Sequence, residues 1–150
     1  MKAGEIMTAN PKVITPDRPI GEAAAIMADS DVGMIPVVDG YDSLRLEGVI
    51  TDRDIAIRHA ARGHGPECMV RDHMTKGKLC TVRADDHVHD VIGRMEHDQV
   101  RRMLVVDGDH RLVGVIALAD IARHAGPAEP KLVEELLEEV STHIRPLVIA

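Results

Sequence analysis

The sequence predicts an α+β fold: two copies of one β-α-β-β-α unit related by a pseudo-twofold axis, followed by a C-terminal amphipathic helix. Three observations carry this reading. Apolar residues recur at helical spacing in two separate stretches. Each stretch is followed by a β-branched run, an Asp-Gly turn and another such run. The whole series of landmarks appears twice in the same order, and fixed-order repetition is the signature of a duplicated structural unit.

Met7-Thr8 returns as Met74-Thr75. Ile20, Ala23, Ala24 and Met27 return as Val88, Val91, Ile92 and Met95, both sets at the i, i+3, i+4, i+7 spacing of one buried helical face. Ile35-Pro36-Val37-Val38-Asp39-Gly40 returns as Met103-Leu104-Val105-Val106-Asp107-Gly108. Leu46 to Ile50, leading to Asp54-Ile55-Ala56, returns as Leu112 to Ile116, leading to Asp120-Ile121-Ala122.

Within each copy, an extended piece near Val13-Ile14 or Thr81-Val82 precedes the first helix, for which Asp17 or Asp85 is the expected N-cap. The strands flanking the Asp-Gly turn suit a hairpin. The second strand runs into a second helix, Asp52 to His59 in one copy and Leu118 to His124 in the other. Gly63, Gly65 and Pro66 break helices. The expected organisation is therefore repeat 1 at 1–62, a linker at 63–68, repeat 2 at 69–126 and a helical tail at 127–150. In the tail Leu132, Val133, Leu136, Leu137 and Val140 share one face and need a surface to cover, with glutamates largely opposite.

Composition narrows the function. A chain of 150 residues can bury a core without covalent staples, and 45% hydrophobic with 29% charged residues is ordinary globular usage. There is no Phe or Trp and a single Tyr, Tyr41, so aromatic platforms for stacking nucleobases are missing. A formal net charge of −7 repels a phosphate backbone, which excludes nonspecific nucleic-acid binding but not a small anion in a local pocket. Cys68 and Cys80 form neither a disulfide framework nor a zinc motif. No run reaches the ~20 apolar residues of a membrane span, and no signal-peptide run opens the chain, so a cytoplasmic protein is expected.

The duplicated order of elements, together with Gly48-Val49-Ile50-Thr51-Asp52-Arg53-Asp54, resembles the CBS domain family over roughly residues 4–125. The resemblance implies a tandem pair of CBS repeats, as in small bacterial proteins made of little else, with clefts that bind AMP, ADP, ATP or another adenosyl ligand. It implies that Asp54 holds the ribose hydroxyls and Thr51 approaches the phosphate. It also implies that each cleft draws residues from the other copy: Val100, Arg101, Arg102 and the linker-side Leu79 with Thr51, Asp54 and Val49 in one. Val32, Gly33 and Met34 join Asp120 and Val115 in the secondary cleft. Arg at the position of Arg102 is implied as a phosphate partner, a task suited to the forked guanidinium. Homodimers formed through helices are a further implication of the family.

The residues themselves leave two readings of the Thr51–Asp54 turn open. A helix N-terminus offers amide donors and a positive dipole end to an anion. Thr-x-x-Asp is equally a variant capping box that only stabilises the helix start. The copies also differ: Ala117 replaces Thr51, so the second turn keeps its Asp and loses the hydroxyl. The expectation is that the Asp54 cleft is the stronger one.

No nucleophile elbow, Walker loop, Gly-x-Gly-x-x-Gly fingerprint or His-Glu-x-x-His occurs, so no catalytic residue, catalytic cofactor or enzymatic activity is expected. His87 and Asp90 share a helical face but His89 points elsewhere, and no metal site is expected. Two functions remain: a regulatory sensor of an adenine nucleotide, or a ligand-independent scaffold that binds an unidentified protein partner.

Overall fold

The apolar periodicity becomes buried helix faces. Ile20, Ala23 and Met27 are buried on α2 (Ile20–Ser30), and Val88, Val91, Ile92 and Met95 on α5 (Val88–Asp98), while Ala24 faces solvent. The computed structural model describes residues 1–126 and 129–142. Its elements run α1 (Ala3–Ile6), β1 (Thr8–Ala9), α2, β2 (Met34–Val38), β3 (Leu46–Thr51) and α3 (Asp52–Asp54). The backbone continues from α3 through a π-helical turn, Ile55–His59, and a 3-10 turn, Ala60–Arg62. Then come α4 (Val70–His73), β4 (Thr81–Val82), α5, β5 (Arg102–Val106), β6 (Leu112–Ala117), α6 (Leu118–Ala125) and α7 (Pro130–Thr142).

Strands β2 and β3 pair antiparallel as expected, Met34 opposite Thr51 and Pro36 opposite Val49. The connection is longer than a two-residue turn, and the Asp organises it. Asp39 Oδ1 accepts from the Ser43 hydroxyl at 2.6 Å and the Arg45 N–H at 3.0 Å. Asp107 Oδ1 accepts from the N–H groups of Asp109 and Arg111 at 2.9 and 3.0 Å. The remaining strands form a four-stranded sheet in the order β1-β6-β5-β4, with β4 parallel to β5. Ile14 bridges Val37 in parallel, the first copy's equivalent of the β4 pairing.

The chain folds as two compact units. One comprises Met1–Thr8, Cys80–Val105 and the chain from Val115 onward; the other comprises Ala9–Leu79 with Val106–Gly114. Ile14, Ala23, Met27, Ile35, Val37, Ile50, Val70 and Met74 form the core of the second unit. Buried side chains of the first include Ile6, Val82, Met95, Met103, Ile116 and Ile121.

The short helices are exchanged between the repeats. Although α4 opens the second copy in sequence, its Val70 and Arg71 N–H groups donate to the carbonyls of Arg18 and Pro16. Likewise Ala3 and Gly4 of α1 donate to the carbonyls of Asp86 and Ala84. This corrects the expected caps. The turns before α2 and α5 serve the exchanged helices, and the capping positions fall on Pro19 and His87 without side-chain bonds, not on Asp17 or Asp85. Asp17 instead accepts from the Thr15 hydroxyl at 2.5 Å.

The tail does not wait for a partner. Helix α7 packs against α5 and α6 of its own unit, and Leu132 and Leu136 are buried there at 1% and 5% exposure. His89 Nδ1 lies 3.0 Å from Glu135 Oε2, tying α5 to α7. The side chains of Leu137 and Val140 lie outside the described residues. No described helix is long and apolar enough to cross a membrane.

Candidate ligand site at the strand-to-helix turns

In each repeat the second hairpin strand ends and a helix begins without an intervening loop. The turn is anchored alike in both: the Asp52 N–H donates to the Gly33 carbonyl at 2.9 Å, and the Leu118 N–H to the Arg101 carbonyl at 3.1 Å. The first helical residue is thus tied to the segment just before the first hairpin strand.

At the first turn Thr51 and Asp54 form a complete capping box. Thr51 Oγ1 accepts from the Asp54 N–H at 3.0 Å, and Asp54 Oδ2 accepts from the Thr51 N–H at 3.1 Å. The capping reading of this motif therefore holds in the folded chain, and the expected pool of open amide donors does not. Asp52 bonds Gly33, Arg53 N–H donates to Asp52 Oδ1 at 2.8 Å, and Asp54 N–H goes to Thr51.

The Asp54 carboxylate is buried at 8% exposure but not fully engaged. The Thr75 hydroxyl is shared between its two oxygens at 3.3 and 3.2 Å, and Arg58 Nε stands 3.5 Å from Oδ1. A carboxylate has roughly four acceptor positions, so acceptor capacity remains for hydroxyl donors. Thr75 was not among the expected site residues. Its signal was the recurrence of Met-Thr at the start of each copy.

Thr75 is delivered by a close backbone approach. Val49 N–H donates to the Thr75 carbonyl at 3.0 Å, and the Thr75 N–H to the Val49 carbonyl at 2.8 Å. Gly48 makes room for it: a Cβ there would stand 2.5 Å from the Thr75 carbonyl oxygen. Met34, Val49, Thr51, Asp54 and Leu79 all belong to this unit.

Val100, Arg101, Arg102, Val115 and Asp120 belong to the other unit. Asp120 Oδ2 accepts from the Ala117 N–H at 2.8 Å, but Ala117 has no hydroxyl to return the bond, and no side chain caps this helix. Asp120 Oδ1 is taken by Arg123 at 2.6 Å. Arg101 and Arg102, both exposed, line a groove of about 400 Å³ with Ala117, Leu118, Ala119, Ala122 and Leu136. An uncapped helix start flanked by two guanidinium groups favours an anion. The copies thus divide their chemistry. The first turn offers a carboxylate with hydroxyls, and the second offers amide donors beside arginines.

A second group of polar side chains lies at the end of the first repeat. His59, His64, Cys68 and His73 each bring a ligand-type atom within 4.8 Å of the others. Burial, followed by the neighbouring His59 and His64, holds the His73 imidazole below its usual range. Burial also raises the Cys68 thiol, with the charges of Glu67 and Asp72 adding to the shift. Cys68 and Cys80 are not disulfide-bonded. No metal site is expected from the sequence, where His59, His64, Cys68 and His73 follow no zinc-motif spacing.

A duplicated α+β unit with an Asp-bearing strand-to-helix turn in each copy defines a tandem repeat module, and comparison gives its family. The chain matches the CBS domain over residues 3–59 and again over 70–126, and it belongs to the CBS domain family as a tandem pair. It is 35% identical over 122 residues to hypoxic response protein 1 of Mycobacterium tuberculosis, covering 81% of this chain and 83% of that protein. A crystal structure of hypoxic response protein I with two coordinated zinc ions superposes with a TM-score of 0.72 at 34% identity, over 83% of this chain and 98% of that one. CBSX2 in complex with AMP gives 0.70 at 27% identity, over 83% and 95%. The CBS pair of MJ0100, in complex with 5′-methylthioadenosine and S-adenosyl-L-methionine, gives 0.70 at 28% identity, over 85% and 98%.

Proposed function

We propose that this protein is a regulatory sensor of an adenine nucleotide (AMP, ADP or ATP), acting in the cytoplasm. The observation that carries the reading is the buried, incompletely satisfied carboxylate of Asp54 at a strand-to-helix turn. Similar CBS pairs bound to AMP, methylthioadenosine and S-adenosylmethionine support the ligand class. Asp54 accepts the ribose hydroxyls, Thr51 and Thr75 shape that end, and Val49 and Leu79 give apolar contact. Among the other unit's residues, Val100 is the candidate for apolar contact and Arg101 and Arg102 for phosphate, and Asp120 and Val115 there, with Met34 in the Asp54 unit, are the secondary candidates.

A melting screen of the intact protein against AMP, ADP, ATP, S-adenosylmethionine and adenosine tests this, because a ligand that binds only the folded state raises its melting temperature. The nucleotides should stabilise the protein more than adenosine does. A charge-assisted contact contributes about 1.5–3 kcal/mol, so Arg102→Ala should weaken nucleotide binding roughly tenfold or more and leave adenosine nearly unchanged. Equal losses for nucleotide and nucleoside would remove Arg102 from the phosphate site.

The ligand-independent scaffold remains the second reading, favoured by the self-satisfied capping box at Thr51–Asp54. The same proposal includes a homodimer, formed through helices other than α7, whose Leu132 and Leu136 are already covered. Light scattering at micromolar concentration should give twice the chain mass, and the mass of one chain contradicts the dimer.

A further inference from the structure

His59 closes the π-helical turn, His64 lies in the loop beyond it, Cys68 precedes α4, and His73 ends α4. All four belong to one unit. His64 and Cys68 fall outside both CBS-matched segments, while His59 and His73 lie within them, so neither repeat by itself supplies the four side chains. The matching helix of the second repeat, α6, is a regular α-helix, whereas the first repeat changes to π geometry over the residues that end in His59. Such turns frequently mark functional positions.

His59 Nδ1 and His64 Nδ1 stand 3.2 and 3.3 Å from one atom, His73 Nε2. That nitrogen carries either one lone pair or one proton, so it satisfies one neighbouring ring well and not two. His73 is 4% exposed, and solvent has little access to make up the difference. Nitrogens bound to one tetrahedral zinc stand roughly 3.3 Å apart, given Zn–N bonds of about 2.0–2.1 Å. Both observed spacings match that value. Cys68 supplies a fourth donor atom within 4.8 Å of the others.

We propose that His59, His64, Cys68 and His73 bind one zinc(II) ion in a closed tetrahedral site that fixes the linker between the two repeats. Three imidazoles and one thiolate suit zinc over magnesium or calcium, which take oxygen donors. On binding, the Cys68 thiol gives its proton to solvent and the sulfur takes the metal, with no change in oxidation state. Four protein ligands leave no open coordination position, so the ion is structural and not catalytic. The ion joins the end of the first repeat to α4, whose terminal carbonyls of His73 and Met74 also accept from Arg58 Nη1 at 3.4 Å.

The test uses the full chain, stripped with a chelator and titrated with cobalt(II), then with zinc(II) against a chromophoric chelator. The wild type should take one ion per chain at this site, with the visible band of tetrahedral cobalt and a near-ultraviolet thiolate-to-cobalt band. Cys68→Ser should lose the thiolate band, whereas Cys80→Ser, in the other unit, should keep it. His64→Ala alters an exposed side chain and should stay folded. It should weaken zinc by at least the roughly 10–100-fold that lesser outer-sphere changes cost. A folded wild type without the tetrahedral cobalt spectrum overturns the proposal. So does zinc affinity unchanged in both Cys68→Ser and His64→Ala.

Discussion

Asp54→Ala should reduce adenine-nucleotide affinity by about a hundredfold or more. The ribose presents two hydroxyls to one carboxylate, each charge-assisted bond contributes about 1.5–3 kcal/mol, and 1.4 kcal/mol is tenfold. The substitution also opens the capping box, which costs about 1 kcal/mol of stability, and it strands the Thr75 hydroxyl. Asp54→Asn separates the two effects. The amide keeps an acceptor for the Thr51 N–H and fills the same space, so the fold should hold while the charged ribose contact is lost. Asp120→Ala should cost much less binding, because Arg123 already occupies that carboxylate at 2.6 Å. Titration calorimetry on the three variants, each first shown to melt cooperatively, decides the matter. Undiminished affinity in a folded Asp54→Ala protein removes Asp54 from the site, and equal losses from Asp54→Ala and Asp120→Ala remove the expected asymmetry.

Gly48→Ala should be the most damaging single-methyl change in the second unit. The added Cβ meets the Thr75 carbonyl oxygen at 2.5 Å and Met74 Cε at 2.6 Å. The Met74 terminus can swing away. The Thr75 carbonyl cannot yield cheaply, because it and its own N–H are held by Val49 at 3.0 and 2.8 Å. Overpacking of this kind costs about 1–3 kcal/mol, and each kcal/mol lowers the melting temperature by roughly 2–4 °C at this chain length. Moving Thr75 also withdraws a hydroxyl from Asp54, so nucleotide affinity should fall with stability. Gly93→Ala is the matched control: it is an exposed α5 position with nothing within 4 Å of the new methyl. There alanine should stabilise by about 0.5–1 kcal/mol. Thermal melts of the pair check the sign of each change, and a neutral Gly48→Ala contradicts the close-approach argument.

Much of this architecture is legible in the sequence because local periodicity and repetition both encode it. The buried faces of α2 and α5, the antiparallel pairing of β2 with β3, and the tandem organisation follow from spacing alone. The exchange of α1 and α4 does not. Each has four residues, too few for a helical period to declare itself, and each is held by backbone bonds to turns distant in sequence. The same bonds explain why Asp17 and Asp85 misled as caps. The tail's amphipathic stripe is plain in Leu132 and Leu136, but a stripe does not say which surface covers it.

At the site, Thr51 and Asp54 could be picked out, and their two roles could not be separated without coordinates. Thr75 enters through a strand bridge to Val49 that no local pattern announces. The histidine cluster was missed for a related reason. Its members come from a π turn, the loop beyond it, the segment before α4 and the last residue of α4, and their spacing in sequence fits no single helical face.

Adenine-nucleotide binding by the intact chain separates the sensor from the scaffold. Titration calorimetry of the wild type with AMP, ADP and ATP measures it directly. Saturable binding is predicted, tighter for at least one nucleotide than for adenosine, with the tighter site lost in Asp54→Asn and kept in Asp120→Ala. Saturation by none of them, in protein that is folded and free of carried-over ligand, contradicts the sensor reading and favours the scaffold.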